Sequence, residues 1–318
     1  MIHTGEDFVF LSDEMLEKLN ISPPEVADAI EAALVAKAEG RLHTSPKTAI
    51  LPGRARYMMS TLAVGDDGFI VVKQVSLCPE NPKQDLPAIN GAVMVLDAET
   101  GLLRAVVGAN WITAIRTAAL SAVAARRLAD PASETLTFVG AGVQAHSHLA
   151  AFSTLFPLKR IRVFGRGQAN MQKLCKTAKD MGFDTEVSTS PEAALNDADL
   201  VVTSINLDFS IKPFLDARWL KKNAFAAITD ACIPWVPDSM EAFKTVIVDD
   251  LTQEAESEKP MLPYEQINDD LTGLVTGKQS LETPSAFAFR GIALGDYAVA
   301  VLAVQRAEAA GLGQRISP

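Results

Sequence analysis

The chain has 318 residues, long enough for two cores, of which 48% are hydrophobic and 21% charged. Its formal net charge of -10 excludes nucleic acid as the main partner, because phosphates would be repelled. No apolar run reaches the roughly 18 residues of a membrane span. Residues 1–13 carry three acids and no apolar stretch of a signal segment, so a cytoplasmic protein without a membrane partner is expected. The three cysteines, widely spaced and odd in number, read as thiols in a reducing compartment. His146 and His148 stand two apart on one helical stretch and face different ways, so no metal site is expected.

Ser22-Pro23-Pro24-Glu25 is a capping box with proline in the first helical turn. Val26, Ile30, Leu34 and Ala38 then recur at helical spacing until Gly40. Runs rich in β-formers follow at 47–51, 57–64, 69–76 and 92–96. The last turns through Asp97-Ala98-Glu99-Thr100-Gly101 into 102–107, a hairpin signal. An alanine-rich stretch over 113–128 predicts a long helix bridging two domains. Beyond it, six short strands at 136–139, 160–164, 185–188, 200–204, 225–229 and 245–248 alternate with helices or turns. A last helix over 295–310 turns Ala298, Leu302 and Ala303 to one side and is expected to return to the first domain. The predicted fold class is α/β. A Rossmann-type doubly wound parallel sheet occupies residues 116–295, inserted in a smaller α+β substrate-binding domain of 1–115 completed by 296–318.

The most informative phrase is Phe138-Val139-Gly140-Ala141-Gly142-Val143-Gln144-Ala145, which leaves a strand and enters a helix. A dinucleotide pyrophosphate needs that order: Gly140 for a tight turn, Gly142 for close backbone approach, Ala145 for close helix–strand packing. The helix N-terminus then offers N–H groups and a positive dipole end. The second strand ends Val163-Phe164-Gly165-Arg166, and no Asp or Glu occurs over 135–179, where seven Lys and Arg stand. Loss of the ribose-binding acid beside an arginine favours NADP(H), with NAD(H) as the alternative. Thr117, Val143, Gln144, Thr203 and Ile228 complete the expected cofactor contacts.

Lys73 lies among valines in 69–76 and is either an edge-strand lysine in water or a cation facing a ligand. Arg116 is a lone cation in a small, apolar helix, which suits a guanidinium gripping a carboxylate. Asp230 ends a strand, where open α/β sheets place ligands, with Asp249-Asp250 as its competitor. Asp296, just after Gly295, reads as the cap of the last helix.

Together these stretches resemble the ornithine cyclodeaminase/μ-crystallin family. The residues carrying the resemblance are Val72-Lys73-Gln74-Val75-Ser76, Asn81, Leu86-Pro87, 96–101, Ile112–Ala122 with its Arg116-Thr117-Ala118, the glycine phrase with Gln144, Val248-Asp249-Asp250 and Gly291–Asp296. The resemblance implies a homodimer and hydride transfer between a nicotinamide and the α-carbon of a small amino or imino acid with a free carboxylate. It also implies that Lys73 and Arg116 hold that carboxylate, together with a second cation that here is Lys47, where the family usually has arginine. The family's aspartate falls near Asp230, about one residue early and without its glycines, in Ile228-Thr229-Asp230-Ala231-Cys232-Ile233-Pro234. An NAD(P)H-dependent reductase of a small α-imino acid is therefore expected, with Lys73 and Asp230 catalytic and Lys47 and Arg116 binding substrate. An ammonia-releasing cyclodeaminase and a non-catalytic NADP(H)-binding protein are the alternatives.

Overall fold

The computed structural model describes residues 7–277 and 281–317; residues 1–6 of the stretch read for a leader lie outside the described residues. The chain opens with β1 (Phe8–Leu11), α1 (Asp13–Glu17), α2 (Pro23–Ala38), β2 (Leu42–Thr44), β3 (Thr48–Ile50), β4 (Tyr57–Gly65), β5 (Phe69–Leu77), β6 (Ile89–Asp97) and β7 (Leu103–Gly108). Helix α3 (Ala109–Leu128) leads to β8 (Thr135–Val139), α4 (Val143–Phe152), β9 (Arg160–Phe164), α5 (Gln168–Asp180), β10 (Asp184–Val187), α6 (Pro191–Leu195) and β11 (Leu200–Thr203). Then come β12 (Phe225–Ile228), β13 (Thr245–Val248), α7 (Leu251–Ala255), β14 (Asp269–Asp270), α8 (Leu271–Thr276), β15 (Ser285–Ala288), α9 (Ala293–Ala310) and β16 (Gln314–Ile316). Residues to Arg116 and those from Gly291 on form one compact unit, and Thr117–Arg290 form the other. No helix among the described residues is long and apolar enough to cross a membrane.

In the first unit the strands lie in the order β16-β1-β7-β6-β5-β4-β2, with β3 also on β4. The expected capping box starts α2: the Ser22 amide donates to Glu25 Oε2 at 2.9 Å. The hairpin between β6 and β7 turns on Asp97, whose carboxylate accepts from the Thr100 amide at 2.8 Å, with Gly101 at φ +72. Alternation along the strands splits the sheet into two faces. Ala63, Val71, Val75, Val93, Val95, Ala105 and Val107 are buried on one face, where α9 packs on β4, β5 and β6 and lies beside α2. The other face carries a register row, Leu62–Val72–Met94–Val106, whose Leu62 and Met94 are each 41% exposed. Helix α9 departs from the one-sided pattern expected of it: Leu294 to Val301 are buried all round, while Leu302 is only half-buried.

The second unit is an all-parallel sheet in the order β10-β9-β8-β11-β12-β15-β13-β14. The six expected strands are present, and the order reverses between β8 and β11, the switch point where doubly wound folds bind ligands. Strand β15 slots between β12 and β13 and was not anticipated. Its Ser285-Ala286-Phe287-Ala288 is short and small, without the β-branched signature of a strand. Trp235, Phe243, Ile228, Val246 and Val248 belong to one buried core cluster of this unit.

Candidate active site

The glycine phrase sits at the switch point of the second unit. Gly140 has φ +99, and a Cβ there would lie 2.6 Å from the Ser204 carbonyl oxygen, so no other residue fits. A Cβ on Gly142 would meet nothing within 4 Å, and Gly142 is the N-cap of α4. No side chain caps α4, so the positive end of its dipole faces outward from Gly142. Ala145 is fully buried, so α4 lies close against the sheet. Val143 is 68% exposed, an apolar side chain at the first helical position.

The same helix is locked from below by His148. Its Nδ1 lies 2.7 Å from the Gln144 carbonyl, which only accepts, so Nδ1 carries the proton. Burial lowers its pKa to about 4, so the ring is neutral and Nε2 accepts from the Ser121 hydroxyl at 2.9 Å. This joins α4 to α3.

At the end of β9, Arg166 is exposed. Three cations of the basic stretch around it are engaged: Lys159 with Glu134 at 2.6 Å, Lys176 with Asp180 at 2.6 Å, and buried Arg162 with the Asn196 carbonyl at 2.6 Å. An acid reaches this end of the sheet after all, from the loop after β11. Hydrogen bonds from Ser210, and then the charge of Arg166, hold the Asp208 carboxyl below its ordinary range. Counting charges along 135–179 cannot find a carboxylate that arrives from another strand.

Asp230 follows β12 and is 0% exposed. Its oxygens accept from the Thr203 hydroxyl at 2.9 Å and the Ile205 amide at 3.1 Å. Thr203 in turn accepts from Trp235 Nε1 at 3.4 Å. Burial pushes the Asp230 carboxyl up to about 7, against these hydrogen bonds. Ala231 and Cys232 then adopt left-handed φ values of +53 and +59 without being glycines, a strained turn at a strand end. Ile228 is buried at the end of β12, its carbonyl accepting from the Phe289 amide at 2.8 Å. Asp250 is the N-cap of α7, accepting from the Gln253 amide at 2.7 Å, and Asp249 accepts from the Arg290 amide at 3.1 Å.

The first unit holds the cations. Lys73 lies in mid-sheet, on β5 between Thr61 of β4 and Val93 of β6, and is 1% exposed. That removes the edge-strand alternative. Its Nζ is 2.5 Å from Asp296 Oδ1, and Arg116 Nε is 3.1 Å from the same oxygen. The Thr61 hydroxyl donates to Asp296 Oδ2 at 3.0 Å. Asp296 is therefore no cap: Ile292 is the N-cap of α9, and the carboxylate leaves the first turn toward Lys73 and Arg116. Burial and then Arg116 lower the Lys73 pKa from 10.5 to about 8, opposed by Asp296. Burial alone would raise the Asp296 carboxyl, but Lys73 and Arg116 overcome it and hold it below its ordinary range. Lys47, just ahead of β3, stands over the Tyr57 ring at 5.8 Å and adds its charge to those acting on Lys73. Thr117 follows Arg116 on α3 and is buried. The sequence placed Asp296 in a stretch that carries the resemblance but gave no sign of its role, because its partners are remote along the chain.

The family model of the ornithine cyclodeaminase/mu-crystallin family matches residues 6–311. Ketimine reductase mu-crystallin of Macropus fuliginosus is 29% identical over 305 residues, 92% of this chain and 95% of that protein. Alanine dehydrogenase of Archaeoglobus fulgidus is 28% identical, covering 97% of this chain and 98% of its own. The L-lysine cyclodeaminase of Streptomyces rapamycinicus is 30% identical over 78% of this chain and 75% of its own. Among solved structures, Thermococcus litoralis Δ1-pyrroline-2-carboxylate reductase in complex with NADH and L-proline superposes with a TM-score of 0.87 at 24% identity, covering 97% of this chain and 100% of that one.

Proposed function

The chain belongs to the ornithine cyclodeaminase/mu-crystallin family, and on that footing we propose that it is a nicotinamide-dependent oxidoreductase acting at the α-carbon of a small amino acid or its imine. The observation that carries this reading is the buried group of Lys73, Arg116 and Asp296. Two cations and one anion in a dry site leave one positive charge for a substrate carboxylate. Arg116 grips that carboxylate as a fork, and Lys47 adds a second cation as a point charge.

Lys73, with a pKa of about 8, is mostly protonated at neutral pH yet close to its titration point. An acid so poised donates its proton to the imine nitrogen, or takes one back in the oxidative direction. Burial keeps competing water away from this transfer. The second unit fits a nicotinamide cofactor: the uncapped start of α4 and the open approach at Gly142 suit the pyrophosphate, near Val143 and Gln144. When bound, that cofactor supplies or removes the hydride. Thr117 on α3, and Thr203 and Ile228 at the ends of β11 and β12, complete the cradle.

Asp230, each of whose oxygens accepts one hydrogen bond inside the second unit and whose carboxyl burial raises to about 7, is the second group suited to proton transfer. Arg166 suits the 2′-phosphate of NADP(H), while Asp208 offers an acceptor to a free ribose hydroxyl. Both cofactors are expected to serve. NADP(H) is preferred by less than the roughly ten- to hundredfold that an arginine alone would give. The half-open row Leu62–Val72–Met94–Val106 supports a homodimer, a second copy covering that sheet face. Three free cysteines, one of them buried, accord with a cytoplasmic setting.

The test is direct. The protein is incubated with NADPH or NADH and a panel of cyclic and acyclic imines bearing a carboxylate on the imine carbon. Ornithine and lysine with catalytic NAD are assayed separately for released ammonia. Oxidation of reduced cofactor by an imino acid is the expected result. Ammonia release without net cofactor change would make the protein a cyclodeaminase, and no turnover or carboxylate binding at all would overturn the reading.

A further inference from the structure

Lys73 and Arg116 are two like charges in one buried site, an arrangement that is costly unless a counter-charge is built in. Both reach one oxygen of Asp296, at 2.5 and 3.1 Å, while Thr61 donates to the other at 3.0 Å. Its carboxylate is thus fixed from β4, β5 and α3, and its backbone by α9. A residue needed only to start α9 would turn to the amides of the first turn, and Asp296 does not. We propose that Asp296 is a positioning residue of the carboxylate-binding site: it holds Lys73 and Arg116 side by side and cancels one of their charges, so that the site accepts a single carboxylate with Lys73 still able to deliver a proton. This rests on the function proposed above.

The charged groups acting on Lys73 are Arg116 of α3, Asp296 of α9 and Lys47 ahead of β3. Its neighbours across the sheet, Thr61 and Val93, carry no charge. Of the three charges only that of Asp296 favours the ammonium. In Asp296→Asn, burial, Arg116 and Lys47 all act in the same direction, and Lys73 loses its proton at lower pH.

The experiment compares kcat/KM against pH for the wild type, Asp296→Asn, Asp296→Glu and Thr61→Val. In parallel, the Lys73 amine is followed by NMR in nitrogen-15 lysine-labelled protein, which needs no turnover. In Asp296→Asn the alkaline limb and the Lys73 titration should both move down by about one pH unit or more, and KM should rise more than kcat falls. Asp296→Glu, which keeps the charge, should return both toward the wild-type pH. Thr61→Val, which removes only a hydrogen bond, should raise KM and leave the limb in place. Cofactor affinity, a property of the second unit, should be unchanged throughout, and thermal unfolding reports whether the first unit of each variant is folded. If Asp296→Asn is unstable, the Glu and Val variants decide. A Lys73 titration unmoved in Asp296→Asn, or displaced equally in Asp296→Glu, overturns the proposal. A wild type inactive on every imine overturns the parent function instead, and the NMR titration still judges Asp296.

Discussion

Lys73 should leave a signature in stability as well as in catalysis. Its pKa falls from 10.5 in the exposed chain to about 8 in the folded protein, chiefly through burial. The unfolded chain therefore binds more protons than the native one between about pH 8 and 10.5, and stability from this group rises with pH across that window. At about 1.4 kcal/mol per pH unit, that difference amounts to about 3 kcal/mol. Below pH 8 the ammonium is carried as a cost; above it, the amine is accommodated neutral. The assay is denaturant unfolding of wild type and Lys73→Met from pH 7 to 10.5. The quantity of interest is the difference between the two at each pH, since every other titrating group then cancels. Wild type should gain on the variant by roughly 2–3 kcal/mol over the window. A difference that stays flat, or that falls as pH rises, would refute the reasoning and mean that Asp296 dominates over burial.

Gly140→Ala combines a positive φ with a 2.6 Å approach to the Ser204 carbonyl, so it should cost about 1–3 kcal/mol and weaken cofactor binding roughly tenfold or more; undiminished affinity in a cofactor titration would remove Gly140 from the cradle. Asp208→Asn should sharpen the preference for NADPH over NADH, and Arg166→Ala should erase it; equal affinities in all three proteins would mean that neither side chain meets the ribose. Met94→Lys with Leu62→Lys should turn a dimer into a monomer by light scattering, and an unchanged mass would place the subunit contact elsewhere.

What was legible in the sequence was whatever depends on near neighbours. The glycine phrase was readable because turn, close approach and helix start fall within a few residues, and the hairpin on Asp97 for the same reason. Lys73 stood out as a lysine among valines, but its surroundings stayed open, because whether β5 is central or an edge is decided by β4 and β6. Asp296 was misread as a cap because its partner Lys73 lies 223 residues away. The basic stretch over 135–179 suggested an acid-free ribose pocket, since sequence counts charges on one segment and not the loop that brings Asp208. Strand β15 escaped notice because small residues form a strand there only by being enclosed between β12 and β13.

The order in which the chain is made bears on the Lys73–Asp296 pair. The entire second unit is synthesised after β5 and before α9. Its parallel sheet can close while the first unit still lacks α9, which covers β4 and β5, and β16, which pairs with β1. Until α9 arrives, Lys73 lacks Asp296 beside it and Val71 and Val75 lie uncovered. On the function proposed above, a polypeptide that stops short of α9 lacks the Asp296 that holds Lys73 and Arg116 side by side, however well its second unit has folded. Under that reading, carboxylate binding begins only once α9 has been made.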